Sequence, residues 1–310
     1  MSVTVRFTDF WKNSKPTQDN FFVPLVENVY QSKVTLIKDP SIKVDLEIFS
    51  VFKEHLTTKR RVVNRLQRIS SRESPQSPLR LSRNARKSIW FTGENKRPPL
   101  SLGHDCYLGF EPDGFIDNVH YLPLWVLNLD NFGRGPSHGF TSANYPQEHL
   151  FKPRKLKSSK SDQRKFCCAF ISNPMSYRMG ILQELSTIDS VDVFGRAVNK
   201  PIDDKFTVAQ DYRFGIAFEN NIYPGYVTEK MLEAYCSGTV PVYWGHDSEE
   251  YFNPGSFINL YDYQSLQEFK NDLEEIHNDS ARYEQVFSQP LLARPYDIEK
   301  LINLVRTDLL

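Results

Sequence analysis

Residues 166–172 form a continuous apolar run, and two more follow at 214–218 and 239–245, with helix-patterned stretches at 179–185 and 228–237 between them. That rhythm constrains the fold more than any other feature of the chain. Parallel neighbours need a crossover connection, and the crossover helices cover both faces of the sheet. The strands are then apolar throughout rather than alternating. Hairpin-built sheets and helical bundles do not produce this pattern, so an open α/β layer remains. Pro241 has no N–H for a ladder and is placed near the start of its strand. Further pieces extend the layer: strands at 190–194 and 256–260, a capped helix from Ser265 with apolar Leu266, Phe269, Leu273 and Ile276, and a closing helix at 297–306.

The first half reads the same way in shorter units. Strand patterns occupy 3–7, 34–37, 46–52 and 88–92, a helix spans 21–30, and apolar pieces follow at 105–110 and 119–127. The 310 residues suit two domains. We read them as 1–150, a basic linker at 151–165, and 166–310. In a doubly wound α/β sheet the ligand lies beyond the carboxyl ends of the strands. The loops after Ser172, Gly195, Phe218 and Gly245 are therefore the candidate binding loops.

Composition removes several function classes. With 40% apolar and 13% aromatic residues, the chain can build cores and is not wholly disordered. Basic and acidic residues number 38 each, so a uniformly basic nucleic-acid binder is excluded. The neutrality is a cancellation: residues 59–87 carry +9, residues 152–165 carry +6, and the remainder carries −15. Each basic segment reads either as a solvated surface segment or as a patch for anionic ligands or a membrane surface. Four cysteines show no CxxC pair, and Cys167 and Cys168 fall in an apolar strand. No leader pattern opens the chain, and no apolar window approaches the roughly 18–20 residues a membrane helix needs.

The segment 218–230 concentrates the chemistry: a strand end at Phe218, Glu219 and Asn220, a Pro-Gly turn, then Thr228, Glu229 and Lys230 at an expected helix start with Thr228 as N-cap. Free N–H groups and the positive dipole end there suit a diphosphate, and Lys230 adds a full charge. Glu229 would repel a phosphate, so it suits a sugar hydroxyl or positive charge developing on a sugar carbon. Ordinary first-turn charges on a surface helix remain the alternative on spacing alone. There is no GxGxxG and no GxxxxGK[ST], which argues against a dinucleotide redox enzyme and a P-loop phosphotransferase. No Asp-x-Asp is present, so a metal-assisted nucleotide-sugar site of that type is unsupported.

Residues 212–257 resemble the signature of the GDP-fucose-dependent α-1,3/1,4-fucosyltransferases, glycosyltransferase family 10. The FEN at 218–220, YVTEK at 226–230 and VPVYWG at 240–245 fall in family order, with a FxPxSF-like stretch at 252–257. VDVFGR at 191–196, the IFSVF within 46–52 and FTGEN at 91–95 are similar to further family segments, the last to bacterial members. The resemblance implies a GT-B architecture, two Rossmann-like domains facing across a cleft, the first for the acceptor glycan and the second for GDP-fucose. It implies inverting, metal-independent transfer of L-fucose to an N-acetylglucosamine or glucose hydroxyl. Glu94 would be the base. Arg178, Tyr226 and Lys230 would hold the diphosphate, while Asn220 and Glu229 would contact nucleotide and fucose. Ser172, Asn173, Gly195, Glu219 and Thr228 are secondary candidates.

Two departures from the family pattern, the long 59–87 segment and Lys96-Arg97-Pro98 after GEN, lie in the expected acceptor half. The implied location is cytoplasmic or at a membrane surface for a bacterial or viral protein, and Golgi only with an upstream anchor. Two rival readings stay open: a GT-B enzyme using another nucleotide sugar, and a non-catalytic glycan- or polyanion-binding protein.

Overall fold

The computed structural model describes residues 2–10, 17–18, 20–51, 84–134, 145–156, 164–172, 174–247 and 250–310. Most of the 59–87 segment, Asn173 and part of the 152–165 segment lie outside the described residues. The chain divides into two compact units. Unit 1 comprises Met1–Leu122, Arg134–Asn144 and Asp297–Leu310; unit 2 comprises Pro123–Gly133 and Tyr145–Tyr296.

Unit 1 holds a six-stranded, fully parallel sheet in the order β2-β1-β3-β4-β5-β6. Its strands are β1 (Val3–Thr8), β2 (Val34–Leu36), β3 (Val44–Phe49), β4 (Ala85–Phe91), β5 (Cys106–Gly109) and β6 (Val119–Tyr121). Helix α1 (Phe22–Tyr30) buries Phe22, Leu25, Val26 and Val29, and Asn20 Oδ1 accepts from the N–H groups of Phe22 and Val23 at its start. The apolar piece at 119–127 is split: β6 ends at Tyr121, and Leu124–Asn128 is a 3-10 turn in unit 2.

Unit 2 holds a five-stranded parallel sheet in the order β11-β10-β9-β7-β8. The strands are β7 (Lys165–Phe170), β8 (Val191–Phe194), β9 (Tyr212–Phe218), β10 (Val240–Trp244) and β11 (Ile258–Asn259). The helices are α2 (Ser176–Leu185), α3 (Lys205–Ala209), α4 (Lys230–Cys236), α5 (Leu266–Asn278) and α6 (Ser280–Ser288). Pro241 is the second residue of β10, and β11 begins to pair only at Val242, so the missing N–H falls where β10 has one neighbour. Cys167 and Cys168 are fully buried in β7. Phe269, Leu273 and Ile276 of α5 close the core over Phe166, Phe214 and Val240.

Three sequence expectations differ from the structure. The last helix, α7 (Ile298–Leu309), belongs to unit 1 rather than to the second domain. Its Arg306 donates to the carbonyls of Asn28 and Val29 in the last turn of α1. The expected linker is also part of unit 2. Arg154 donates to the carbonyls of Tyr235, Thr239 and Phe287 and lies 3.6 Å over the Tyr235 ring, while Arg164 donates to Tyr212, Gly238 and the Tyr283 hydroxyl. These guanidinium groups satisfy backbone carbonyls at the end of α4 and the start of β9, a use that charge counting does not separate from a surface patch. Thr228 is not the N-cap of α4; Glu229 takes that place, in helical geometry and without a side-chain cap. Among the described residues no helix is long and apolar enough to cross a membrane.

Candidate active site

The chain order of unit 2 fixes where a ligand can enter. After β7 the chain passes to β8 on one side and then to β9 on the other, so its direction through the sheet reverses at β7 and β9. Helices cannot cover the carboxyl ends of strands at such a switch point. A cavity of ≈ 380 Å³ opens there, lined by Ile171 and Ser172 from β7 and its loop, Ile216, Phe218 and Asn220 from β9, Arg178 of α2, and Glu229 and Lys230 at the head of α4. Five of the expected residues therefore share one wall: Ser172, Arg178, Asn220, Glu229 and Lys230.

Glu219 organises this wall from behind. It is fully buried at the end of β9. Its Oε1 accepts the Thr228 N–H at 2.7 Å, and its Oε2 accepts the Thr228 hydroxyl at 2.7 Å and the Lys230 ammonium at 3.1 Å. That is why Thr228 does not cap α4: a charged, desolvated acceptor competes for it and forms the stronger bonds. Burial raises the Glu219 carboxyl above its ordinary range, opposed by Lys230 and the Thr228 bonds. Burial acts to lower the Lys230 ammonium, but the carboxylates of Glu219 and Glu229 outweigh it and hold the ammonium protonated. Two of its three protons go to Glu219 and to the Thr228 hydroxyl at 2.8 Å, which leaves one for a ligand oxygen. Glu229 stands 4.0 Å from that ammonium.

Arg178 is 7% exposed, and its Nη2 donates to the Phe218 carbonyl at 2.9 Å and to Asn220 Oδ1 at 2.6 Å. One guanidinium thus locks the end of β9 and orients the Asn220 amide. Tyr177 donates to the carbonyls of Glu219 and Asn220 from the same helix start, its ring against Trp244. Gly195 does not line the cavity, yet only glycine fits there. Its φ is +112°, and a Cβ would lie 2.4 Å from the Ile171 carbonyl oxygen.

Sequence reasoning missed part of the cavity lining. Lys205 of α3 and Glu233 of α4 both line it and pair at 2.5 Å. Burial and the nearby Glu229 raise the Glu233 carboxyl, with Lys205 opposing. Gly215 lies on the same wall, where a Cβ would meet Thr239 Oγ1 at 2.4 Å. A Glu three residues after Lys230, on the face of Glu229, was the available signal for Glu233; Lys205 carried none. Tyr226 is 1% exposed and, like Glu219 and Thr228, does not line the cavity.

Glu94 belongs to unit 1. It follows the carboxyl end of β4, half-buried, in a turn where the Thr92 hydroxyl donates to the Glu94 carbonyl at 2.7 Å and accepts its N–H at 3.1 Å. Lys96 reaches the Val51 carbonyl, two residues past the end of β3. Arg97 pairs with the buried carboxylate of Glu111, so this part of the departure from the family pattern ties the loop to its own unit.

Residues 160–292 match the family model described as glycosyltransferase family 10 (fucosyltransferase) C-term. The chain is 30% identical over 235 residues to an alpha-(1,3)-fucosyltransferase of Helicobacter pylori, covering 68% of this chain and 48% of that protein. It is 30% identical over 236 residues to a human 4-galactosyl-N-acetylglucosaminide 3-alpha-L-fucosyltransferase, covering 73% and 59%. The alignments thus span about half the length of the curated relatives. The crystal structure of an alpha1,3-fucosyltransferase with GDP-fucose matches with a TM-score of 0.69 at 22% identity, over 99% of this chain and 90% of that one. At that identity the likeness shows the fold, the α/β class with two parallel sheets expected of GT-B.

Proposed function

We propose, from the match of residues 160–292 to the C-terminal model of glycosyltransferase family 10, that the protein moves L-fucose from GDP-fucose to a hydroxyl of an N-acetylglucosamine or glucose unit in a glycan, with inversion and without a catalytic metal. The observation that carries this reading is the cavity of unit 2, which gathers Arg178, Lys205 and Lys230 with Glu229 and Glu233 at the switch point of the sheet. A nucleoside diphosphate leaving group needs fixed positive charge where its negative charge grows. Arg178 and Lys230 supply it beside Asn220, on a wall tied down by Glu219. Glu229 stands where it can accept from a sugar hydroxyl and stabilise the oxocarbenium-like carbon as the bond to the diphosphate breaks.

Inversion is a single displacement, so one base must take the acceptor proton as the carbon–oxygen bond forms. Glu94 has that role, with unit 1 holding the acceptor. The base stands at the end of β4, in a turn whose two Thr92 bonds fix the backbone on either side of the carboxylate. Asn173 and Tyr226 remain donor-side candidates by resemblance. The basic segments are candidates for contact with an anionic carrier or membrane surface.

The deciding experiment measures GDP release against a panel of nucleotide sugars and glycan acceptors. Release from GDP-fucose alone, with fucose in a new β-to-α inverted linkage, supports the reading. Release only from another donor overturns the fucose assignment. Glu94→Gln should lower turnover by roughly 10²-fold or more while GDP binding stays intact; unchanged turnover removes Glu94 as the base. Adding Mg²⁺ or Mn²⁺ to the assay, or leaving it out, should leave turnover unchanged.

A further inference from the structure

We propose that Cys106, His120 and Asp308 form a structural site for one zinc-type cation, which ties the last helix of the chain to the sheet of unit 1. All three belong to unit 1, while the cavity described above is lined by unit 2.

The placement follows from the strand period. Leu108 lies opposite His120 in the β5–β6 register, and Cys106 precedes Leu108 by two residues, so Cys106 and His120 leave the same face of the sheet. Helix α7 packs on that face and buries Leu301, Ile302, Val305 and Leu309, which brings Asp308 of its last turn over both. One ligand atom from each residue lies within 4.8 Å of the others. Cys106 is fully buried, His120 is 6% exposed, and the Asp308 side chain is 14% exposed.

Thiolate, imidazole and carboxylate are the ligand types of zinc, at about 2.0–2.3 Å from the metal. Tetrahedral ligands at those lengths stand roughly 3.3–3.7 Å apart, so the three atoms need to shift by about 1 Å or less. His120 Nε2 now lies 2.7 Å from Asp308 Oδ2. That contact opens slightly to admit a cation between nitrogen and oxygen. His120 Nδ1 is buried with no hydrogen-bond partner among the described residues. The metal–nitrogen bond would form at Nε2, the nitrogen that faces Asp308, and would leave Nδ1 as it is.

The charges close. Zn²⁺ with one thiolate and one carboxylate is neutral, and the Cys106 proton goes to solvent as the metal–sulfur bond forms. The nearby Lys87 ammonium is already matched, 3.2 Å from Asp105 Oδ1 and 3.0 Å from the Asp308 carbonyl. The partly exposed Asp308 side leaves room for water as the fourth ligand.

The test uses the whole chain, stripped with a chelator and titrated with Co²⁺ and then Zn²⁺. One equivalent of Co²⁺ should give a thiolate charge-transfer band with the visible absorption of a tetrahedral site. Zn²⁺ should displace it and raise Tm. Cys106→Ser and Asp308→Asn should each weaken binding by more than about tenfold, while Cys236→Ser, in unit 2, should not. A wild-type chain with neither the cobalt band nor a zinc-dependent Tm shift overturns the proposal, as does a band that survives both substitutions. The wild-type titration decides even if a variant fails to fold.

Discussion

Glu219 shows how one residue can control a site it does not line. Replacing it with Gln removes the charge that Lys230 and Thr228 share but keeps the shape. Hydrogen bonds to charged groups contribute about 1.5–3 kcal/mol, so Glu219→Gln should lower kcat/KM for the donor by about 10- to 100-fold. A purely structural role would lower Tm and leave kcat/KM intact, and steady-state kinetics below Tm separates the two. His104 makes a second residue-scale prediction. It is 3% exposed between the rings of Phe49 and Tyr107, and neither ring nitrogen has a hydrogen-bond partner among the described residues. Burial lowers its pKa to about 4, against small opposing effects from Asp105 and Glu47. A lowered pKa means that the unfolded state binds the proton first. Stability should therefore be full above about pH 6.5 and fall by up to about 1.4 kcal/mol per pH unit between there and pH 4. His104→Phe should flatten that part of the denaturant-midpoint profile against pH; an unchanged slope would rule His104 out. The cavity-lining residues Asn220, Glu229 and Lys230 were legible because strand, turn and helix start are written contiguously in 218–230. Glu219's role was not, because its partners lie nine and eleven residues ahead.

At the scale of elements, caps and close approaches decide. The capped start of α5 was readable: Ser265 Oγ accepts from the Glu268 N–H at 3.1 Å, and the Glu268 carboxylate accepts from the Gln264 N–H. Ser265→Ala should cost about 1 kcal/mol, seen as a lower urea midpoint at constant slope. The start of α4 was misread because the cap pattern Thr-x-x is local, whereas Glu219 captures Thr228 from the end of β9, nine residues earlier. Gly195 demands more than α4 does. Its positive φ and the 2.4 Å approach to the Ile171 carbonyl mean that Gly195→Ala should destabilise unit 2 by about 2–5 kcal/mol. Thermal unfolding with and without GDP would register that loss.

At the scale of the whole molecule, the end of the chain completes its beginning. Helix α7 caps α1 through Arg306 and lies on β5 and β6 of unit 1. Deleting residues 297–310 should lower the unfolding temperature of unit 1 while GDP binding to unit 2 persists; loss of both together would show that the units do not fold separately. The sequence by itself determined the parallel α/β layers, since apolar runs separated by helix patterns admit no other common packing. It also marked Asn220, Glu229 and Lys230, which line the cavity of unit 2, since strand end, turn and helix start are adjacent in both chain and space. Tertiary structure alone decided which unit owns α7, what Arg154 and Arg164 bind, how Lys205 reaches Glu233, and where Cys106, His120 and Asp308 meet. Each of these joins residues far apart in the chain, and local patterns of period 2 or 3.6 carry no record of which distant face will cover which.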